Sequence, residues 1–307
     1  MKTTILKYAI VASALASVGF AGDNSVCQFN LFVLGNATAQ YSDVQGRVAV
    51  GGNATYTGYD FASQVSGLNS RFNLLVGGDL KFSNGQIEHG SVVSNGSVTF
   101  TNVTVVNGNI TAGGAINLTN GQVNGTVNPN IYQQIPFTFG AAMGFLQNAS
   151  YYYGTLPATG TTTNQYGGLF LNGTDPALNV FSVSASLLKS VWGVQINVPA
   201  GSTVLINVSG TSATMPNVGY NYTGTDANHV IFNFYQASTL TVGAGQGSIL
   251  APLANIKFQS GAVNGTVIGN AFTGNGQINQ APFVDGLPVL PSGYSFCSDI
   301  PSYSLPQ

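Results

Sequence analysis

The chain has 307 residues, of which only 5% are charged, and its formal net charge at pH 7 is −2. This balance excludes the dense basic surface that nucleic-acid binding requires. The 40 glycines and the hydrophobic fraction of 44% favour neutral, hydrogen-bonded extended structure over a charged helical protein. We therefore expect a folded, mostly β protein with no nucleic-acid partner.

The N-terminus has the pattern of a secretory signal peptide. Lys2 and Lys7 precede an apolar stretch at residues 10–20, which ends in the small-residue site Gly19-Phe20-Ala21. We predict a signal peptide over residues 1–21 and a single domain over residues 22–307. Its removal leaves five basic and nine acidic residues, so the mature net charge is five minus nine, or −4.

The rest of the chain shows no membrane attachment signal. No later segment reaches the roughly 20 apolar residues of a membrane span, and the C-terminal sequence lacks the apolar tail of a lipid-anchor signal. We therefore expect a secreted protein, released outside the cell or associated with the cell wall.

Two cysteines follow the signal peptide. Cys27 lies just after it and Cys297 lies ten residues before the end of the chain. In an oxidising compartment an even number of cysteines indicates a disulfide, and only one pairing exists here. A simple climbing solenoid would separate its two ends, so this bridge requires the chain to double back.

An 18-residue repeat occurs three times without a gap over residues 77–130. In register, apolar residues recur at the fourth, sixth and eleventh positions, as at Leu80, Val98 and Ile116. A short period with alternating apolar residues and Gly/Asn corners is typical of β-solenoid coils, in which stacking buries a face that one repeat cannot bury alone. A related sequence, GAVNGTV at 261–267 against GQVNGTV at 121–127, predicts that late coils stack on early ones.

Each repeat also carries a hydroxyl residue followed by asparagine. The pairs are Ser83-Asn84, Thr101-Asn102 and Thr119-Asn120. Buried or stacked amides are normally hydrogen bonded, so we predict that Asn84, Asn102 and Asn120 form a structural ladder. Such a ladder would exclude a glycan on Asn102.

Residues 129–153 are the main helical segment of the sequence. Apolar residues recur at spacings of three and four, and Pro136 suits a first helical turn. These residues are Ile135, Phe139, Ala142, Phe145, Leu146, Ala149 and Tyr152. A helix of about eighteen residues from Pro136 would run about 27 Å, which is the height of several stacked coils.

The second half of the chain resumes extended structure. We predict a short helical or turn element at Ser184 to Val191 and strands around Val194 to Val198 and Thr203 to Val208, followed by a strand pair within residues 229–242. The predicted fold class is all-β with one flanking helix. Its architecture is a discontinuous β-solenoid, expected to be a right-handed β-helix, with a long α-helix packed along it.

Asn-x-Ser/Thr motifs occur twelve times. Apart from Asn102, the predicted glycosylation sites are Asn36, Asn53, Asn95, Asn109, Asn117, Asn124, Asn148, Asn172, Asn207, Asn221 and Asn264. This frequency favours a eukaryotic secretory route.

Candidate catalytic groups are few. Charged and histidine residues of the first coils are Asp43, Arg47, Asp60, Asp79, Lys81, Glu88 and His89. Polysaccharide lyases and hydrolases on β-helices need clustered carboxylates or a calcium-binding Asp cluster with a basic neighbour. A solvated coil edge explains these residues better, and neither His89 nor His229 has metal-ligand spacing. We expect no enzyme activity, no cofactor and no metal.

The aromatic residues Tyr151, Tyr152, Tyr153, Tyr166, Tyr220 and Tyr222 allow two interpretations. They could stack on sugar rings, or they could pack between the helix and the coils. We favour packing.

Seven blocks of the sequence resemble the choice-of-anchor A domain, an adhesin module of bacterial and fungal surface or secreted proteins. The blocks are FNLFVLGNA (29–37), DVQGRVAVGGNAT (43–55), LLVGGDL (74–80), PAGSTVLINVSG (199–210), GSILAPLA (247–254), NGTVIGNAF (264–272) and GQINQAPF (276–283). The resemblance implies a β-helical module with an adhesive or cell-wall role and no catalytic residues. The chain departs from the family pattern in lacking a sorting motif, an apolar tail and a stalk, and in having Gln277 at an acidic position.

We therefore predict a non-enzymatic adhesive or structural module whose partner is extracellular or cell-wall polysaccharide or glycoprotein. The alternative is ice binding, which would need a flat, regular face of threonines. In the three repeats one column holds Ser83, Thr101 and Thr119, but its neighbour holds Lys81, Thr99 and Asn117. This mixed column argues against a threonine lattice, and a degradative β-helix enzyme ranks below both.

Overall fold

The computed structural model describes residues 25–65, 72–284 and 286–301. The predicted signal peptide lies outside these residues. Within the described ranges, none of the helices is long and apolar enough to cross a membrane.

Short strands dominate the first half of the chain. After a 3₁₀ turn at Val26–Gln28, they are β1 (Leu31–Val33), β2 (Ala37–Val44), β3 (Val48–Val50), β4 (Ala54–Phe61), β5 (Phe72–Val76), β6 (Leu80–Ile87), β7 (Ser91–Ser94), β8 (Val98–Val105), β9 (Ile110–Ala112), β10 (Ile116–Thr119), β11 (Gln122–Val123) and β12 (Val127–Asn128).

A helix, α1 (Phe139–Thr155), separates these strands from the second half. The later elements are β13 (Thr161–Gln165), β14 (Gly168–Asn172), β15 (Leu178–Ser184), α2 (Ala185–Ser190), β16 (Gly193–Asn197), β17 (Thr203–Ser209), β18 (Ser212–Met215), β19 (Gly219–Thr223), a 3₁₀ turn at Ala227–His229, β20 (Val230–Asn233), β21 (Thr239–Val242), β22 (Gly245–Gln246), β23 (Ser248–Phe258), β24 (Ala262–Asn264), β25 (Val267–Gly274) and β26 (Gln277–Asn279).

The strands stack in parallel as a solenoid with three sides. Side A runs through β15, β17, β20, β23, β25, β1, β3, β5, β7, β9 and β12. Side B runs through β18, β21, the second part of β23, the second part of β25, β2, β4, β6, β8 and β10. Side C contains β22, β24 and β26 and continues through the last residues of β2, β4, β6 and β8 to β11.

The first coil of the chain lies in the middle of the stack. Leu31 of β1 pairs with Val48 on one side and with Val267 on the other. The first half of the chain therefore climbs away from β1 in one direction, and the second half enters from the far end and finishes beside β1. The predicted discontinuous solenoid is confirmed, including the stacking of late coils on early ones.

The three repeats occupy successive coils. Leu80 pairs with Val98, and Val98 pairs with Ile116, so the pairing steps by one 18-residue repeat. Inward side chains stack in the same register, as the Phe82 and Phe100 rings do with centroids 5.8 Å apart. Because each coil alone would expose this face, the stack buries a continuous apolar core.

A corner between sides B and C is formed by residues with positive φ. Asn84, Asn102 and Asn120 have φ of 54°, 54° and 51°, a left-handed conformation that asparagine tolerates better than most residues. Asn102 Nδ2 donates to Asn84 Oδ1 at 2.8 Å, and Asn120 Nδ2 donates to Asn102 Oδ1 at 3.2 Å. The structure thus places these three residues in one hydrogen-bonded column.

Helix α1 packs along side A, against β17, β20 and β23. It begins at Phe139 rather than Pro136, which corrects the predicted start, because the Thr138 side chain caps it by accepting from the Ala141 N–H at 3.1 Å. Its buried face includes Phe145, Leu146 and Ala149 as predicted, but Tyr153 is fully buried in place of Tyr152.

The C-terminal segment completes the cover on side A. Phe283, Leu287, Leu290 and Phe296 share one apolar cluster with α1 and with outward residues of side A such as Leu205. The disulfide joins Cys27 to Cys297 with a Cα–Cα distance of 5.3 Å, so the predicted bridge is present. Side A is therefore covered along α1, whereas on side B the short helix α2 contacts only the end strand β18.

A small second sheet lies at the far end of the stack. It contains β14, β16 and β19 in parallel and β13 antiparallel to β14. In the chain β19 follows β18 just as β22 follows β21, and Tyr222 Oη donates to the backbone oxygen of Gln246 in β22. This sheet, called the upper sheet below, therefore extends side C.

Candidate functional site

The outward surface of side B is a long face in which most side chains carry hydroxyl groups. Its strands alternate inward and outward residues, so that in β2 Ala37 and Ala39 are buried while Thr38 is exposed. We call this surface the threonine face and define it by the central column of outward residues on side B. The column, from one end of the stack to the other, consists of Thr214, Thr241, Lys257, Thr273, Thr38, Thr55, Lys81, Thr99 and Asn117.

Strand pairing fixes the spacing of this column. Adjacent parallel strands are about 4.8 Å apart, so nine positions span about 38 Å. Thr273, Thr38 and Thr55 form an uninterrupted run at the centre. Backbone pairing, and not side-chain flexibility, therefore sets where the hydroxyl groups lie.

A second column on the same face adds further hydroxyl groups. It lies two residues along each strand and contains Gln40, Thr57, Ser83, Thr101 and Thr119. Ser83 Oγ donates to Thr57 Oγ1 at 3.1 Å. Each hydroxyl group can donate one hydrogen bond and accept two, so the face can bond a polar surface at many points.

Two lysines interrupt the central column. Lys81 lies between Thr55 and Thr99, and Lys257 lies between Thr241 and Thr273. An ammonium group is a strongly hydrated point charge on a long flexible stem. The face is therefore regular in its backbone but not uniform in its side chains.

Only part of this column is recognisable in the sequence. The mixed column of Lys81, Thr99 and Asn117 is its last third, at the end of the first half of the chain. Thr214, Thr241 and Thr273 come from the second half and reach the column only because the late coils stack beside β2. The register of the late coils, and not a repeat in the sequence, carries this signal.

The candidate catalytic residues do not all converge: Asp43 lies near Asp60 and Glu88, but the basic candidates Lys81 and Arg47 lie elsewhere. Asp43 and Asp60 are paired in register on side C, whereas Lys81 faces outward on side B. Arg47 is buried, donates from Nε and Nη2 to the Phe72 oxygen at 3.0 and 2.9 Å, and stacks over the Phe29 ring. Across residues 25–65, 72–284 and 286–301, no group of three His, Cys, Asp or Glu side chains is placed to hold a metal ion.

Asp43, one of the paired aspartates on side C, has a shifted pKa. Partial burial raises the pKa of the Asp43 carboxyl, and the neighbouring Asp60 and Glu88 raise it further, while a hydrogen bond from Gln277 lowers it. Gln277 Nε2 lies 3.3 Å from Asp43 Oδ2. Gln277 thus serves as a donor to an aspartate on the neighbouring coil.

Most predicted glycosylation sites lie at the surface. Asn36 and Asn53 form a corner column beside the threonine face, and their side-chain oxygens accept backbone N–H groups of Asn53 and Asp79 at 2.8 and 2.9 Å. Asn117 lies within the central column itself. Of the other sites, Asn109, Asn124, Asn148, Asn172 and Asn221 are exposed, and Asn95 and Asn264 are half-buried.

Asn207 is one predicted glycosylation site that the structure does not leave accessible. It is 3% exposed and lies beneath α1. Its Nδ2 donates to the backbone oxygen of Tyr153 at 2.7 Å, and its Oδ1 accepts from Asn233 Nδ2 at 2.9 Å. The folded chain therefore leaves no room for a glycan on Asn207.

The tyrosines considered for sugar stacking have different environments. Tyr153 is buried under the C-terminal segment, and Tyr220 and Tyr222 pack against the solenoid core. Tyr151 and Tyr166 are exposed, and Tyr152 is half-buried. They form no single cluster, so packing explains the buried members.

The family of the chain follows from its sequence. Residues 23–280 match the family described as "Putative Ice-binding-like adhesive domain", and the chain belongs to this family. The adhesive class implied by the earlier resemblance is thereby confirmed, while the choice-of-anchor A assignment stays a prediction. No curated protein matches the chain in sequence.

The solved structures that are similar to this chain include one of a fungal protein. It is the crystal structure of an ice-binding protein from an Antarctic ascomycete, Antarctomyces psychrotrophicus. The two share 15% sequence identity over 83% of this chain and 95% of that chain, with a TM-score of 0.30.

Proposed function

We propose that the protein is a secreted, non-enzymatic adhesive domain whose threonine face binds extracellular polysaccharide. The single observation that carries this proposal is the run of outward hydroxyl groups held at strand spacing across side B. Membership of an adhesive-domain family supports it. A choice-of-anchor A type of adhesin, retained in the wall or released outside the cell, is the corresponding finer assignment.

Polysaccharide suits this face for a physical reason. Single hydroxyl contacts contribute little because each replaces a bond to water. A rigid row that meets a repeating polymer makes many such contacts at once, and the later contacts are effectively intramolecular. The two lysines do not oppose this role, since their ammonium groups donate to sugar hydroxyl oxygens as well.

Ice is the second candidate ligand. The uninterrupted threonines at the centre of the column and the ice-binding-like description of the family favour it. Lys81 and Lys257 weigh against it, because they place strongly hydrated charges in the column. Glycans on Asn36, Asn53 or Asn117 would also stand between the face and a flat crystal.

A retention assay tests the threonine face. The variant Thr38→Tyr/Thr55→Tyr places two bulky rings at the centre of the column, where both threonines are exposed. We expect it to lose most of its retention on insoluble chitin, β-glucan or cellulose while its circular dichroism stays unchanged. The matched control is Thr155→Tyr, an exposed threonine at the end of α1.

Three outcomes decide between the candidates. Retention of the parent protein on a polysaccharide, lost in the double variant and kept in the control, supports the proposal. Enrichment in growing ice with no polysaccharide retention would identify ice, and not polysaccharide, as the ligand. Equal retention of the double variant and the control removes the threonine face as the binding surface. All proteins are measured after enzymatic deglycosylation, because Thr38 and Thr55 complete the Asn-x-Thr motifs of Asn36 and Asn53 and the double variant would otherwise also lack those two glycans.

A further inference from the structure

The upper sheet carries an exposed aromatic side chain that the threonine face does not involve. The chain has one tryptophan, Trp192, which directly precedes β16 and is 57% exposed. Tryptophan is highly buried on average, so a large exposed indole is informative. Side C, on which the upper sheet lies, is a different side of the solenoid from the threonine face.

The position of the indole is fixed by the backbone beneath it. The indole Nε1 donates to the backbone oxygen of Tyr166 at 2.8 Å, and the backbone N–H of Trp192 donates to the backbone oxygen of Gly167 at 3.1 Å. A Cβ atom on Gly168 would lie 2.9 Å from Cζ2 of the indole and 3.1 Å from Cε2 of Phe170. The two rings therefore flank a glycine whose lack of a side chain lets the indole lie on the strand.

Polar side chains continue this platform across the sheet. Phe170 pairs with Gln195, and Gln195 pairs with Asn221. Their strand neighbours Leu169, Val194 and Ile196 are buried, so the row of Phe170, Gln195 and Asn221 faces outward. Each amide offers both donors and an acceptor.

The charge of the surface limits the ligand. The four strands of the upper sheet, TTTNQ, GLFLN, GVQIN and GYNYT, contain no charged residue. An anionic ligand such as a nucleic acid or an acidic polysaccharide would find no counter-charge on these strands. A neutral ligand with one apolar face and several hydroxyl groups matches the combination of rings and amides.

We propose that Trp192, Phe170, Gln195 and Asn221 form a second binding site, for a neutral sugar chain. The C–H face of a pyranose ring would lie on the electron-rich face of the indole, and the amides would bond the hydroxyl groups of the next residue. This site goes beyond the proposed function, because it is separate from the threonine face and predicts binding of soluble oligosaccharides. A surface-bound polymer engaged by both sites would gain from their linkage.

The single tryptophan makes the proposal directly measurable. Deglycosylated protein is titrated with the hexasaccharides of β-1,4-glucose, β-1,3-glucose and β-1,4-N-acetylglucosamine while tryptophan emission is recorded. We expect a saturable blue shift with at least one of them, with a dissociation constant of about 1 mM or below. No change in emission with any of the three would overturn the proposal.

Glycine substitution separates the site from general stability. Gly168→Ala should displace the indole and weaken binding at least tenfold, whereas Gly140→Ala, in open space on α1, should leave binding unchanged. Equal affinity of the Gly168→Ala variant would contradict the site. Thr38→Tyr/Thr55→Tyr should keep the titration unchanged, so failure of the threonine face and failure of this site are distinguishable.

The glycan on Asn221, if attached, is the competing occupant. Binding that appears only after sugar removal, and equally in Thr223→Ala made with its other glycans, supports the site and shows that the glycan on Asn221 covers it, because Thr223 completes the acceptor motif of Asn221. Asn172→Gln serves as the control, because Asn172 is an exposed acceptor of the same sheet. Emission shifts that persist when Trp192 is retained but both Gln195→Ala and Phe170→Ala are introduced would overturn the proposed residue set.

Discussion

Asn233 donates from Nδ2 to Oδ1 of Asn207 at 2.9 Å, and both residues are buried beneath α1. Ser150 Oγ donates to Asn233 Oδ1 at 2.6 Å, and Asn233 Nδ2 also donates to the backbone oxygen of Ser150 at 2.8 Å. Since Asn207 donates to the Tyr153 oxygen, the two asparagines fasten the helix to side A. Apolar packing alone would not fix the position of α1 along its axis.

Replacing Asn233 by leucine should destabilise the fold by about 2–4 kcal/mol, because it leaves buried polar atoms of Ser150 and Asn207 without a partner. Urea unfolding measures the effect. Asn197→Leu, at an exposed position of β16, should stay within about 0.5 kcal/mol of the parent. Equal free energies of unfolding for the two variants would show that the asparagine pair does not hold the helix.

Loss of the disulfide should lower stability by about 2–5 kcal/mol, since it frees a long loop in the unfolded chain. The bridge joins residues that are 270 positions apart. The test is the thermal midpoint of Cys27→Ser/Cys297→Ser against the oxidised parent. An unchanged midpoint would mean that the C-terminal segment holds its place without the bridge.

The glycines of α1 predict opposite effects within one helix. Gly140→Ala and Gly144→Ala should each stabilise by up to about 1 kcal/mol, because alanine favours helix and a Cβ meets no atom within 4 Å at either position. Gly154→Ala should gain nothing or destabilise, since its Cβ would lie 2.5 Å from the Tyr235 ring. Unfolding curves of the three single variants check this order.

The asparagine column predicts a difference between alanine and glycine at one position. Asn102 has φ of 54°, which costs a residue with a Cβ and no compensating bond about 1–2 kcal/mol. Asn102→Ala should therefore be less stable than Asn102→Gly, although both lose the same two amide bonds. Chemical denaturation of the pair measures the difference, and equal stabilities would argue against a strained corner.

Asp43 predicts a pH effect. Its pKa is raised in the folded state, so the folded protein holds the proton more tightly than the unfolded chain. Stability from this group is present below the unfolded pKa and falls as pH rises through the folded pKa. Asp43→Asn should therefore be more stable than the parent at pH 7, with the difference vanishing near pH 3. Denaturation at both pH values tests it, and a less stable variant at pH 7 would contradict the prediction.

The coil register and the helix were predictable from local patterns. The 18-residue repeat sets the pairing of Leu80 with Val98, and apolar spacing identifies the face of α1 that carries Phe145 and Leu146. The predicted start of α1 was wrong by three residues, because the Thr138 cap outweighs the preference of Pro136 for a first turn. Local signals thus locate elements better than they locate ends.

The binding surfaces were harder to predict, because they depend on contacts between distant residues. Thr38 and Thr273 are neighbours only once the late coils stack beside the first coil. No sequence motif around Trp192 indicates that it is exposed, and its position depends on Gly168 in a neighbouring strand. Asn207 matched a glycosylation motif, and only the position of α1 shows that it is buried.

The interleaved coil order also has a consequence for synthesis. Leu31 to Val33 of β1 are among the first strand residues made, yet their partners Val267 to Gly269 are among the last. At about 5–20 residues per second, that edge stays open for on the order of 10 to 50 s. An unpaired parallel edge invites pairing with another chain, so nascent molecules emerging side by side are exposed to strand exchange until the last coil closes the gap.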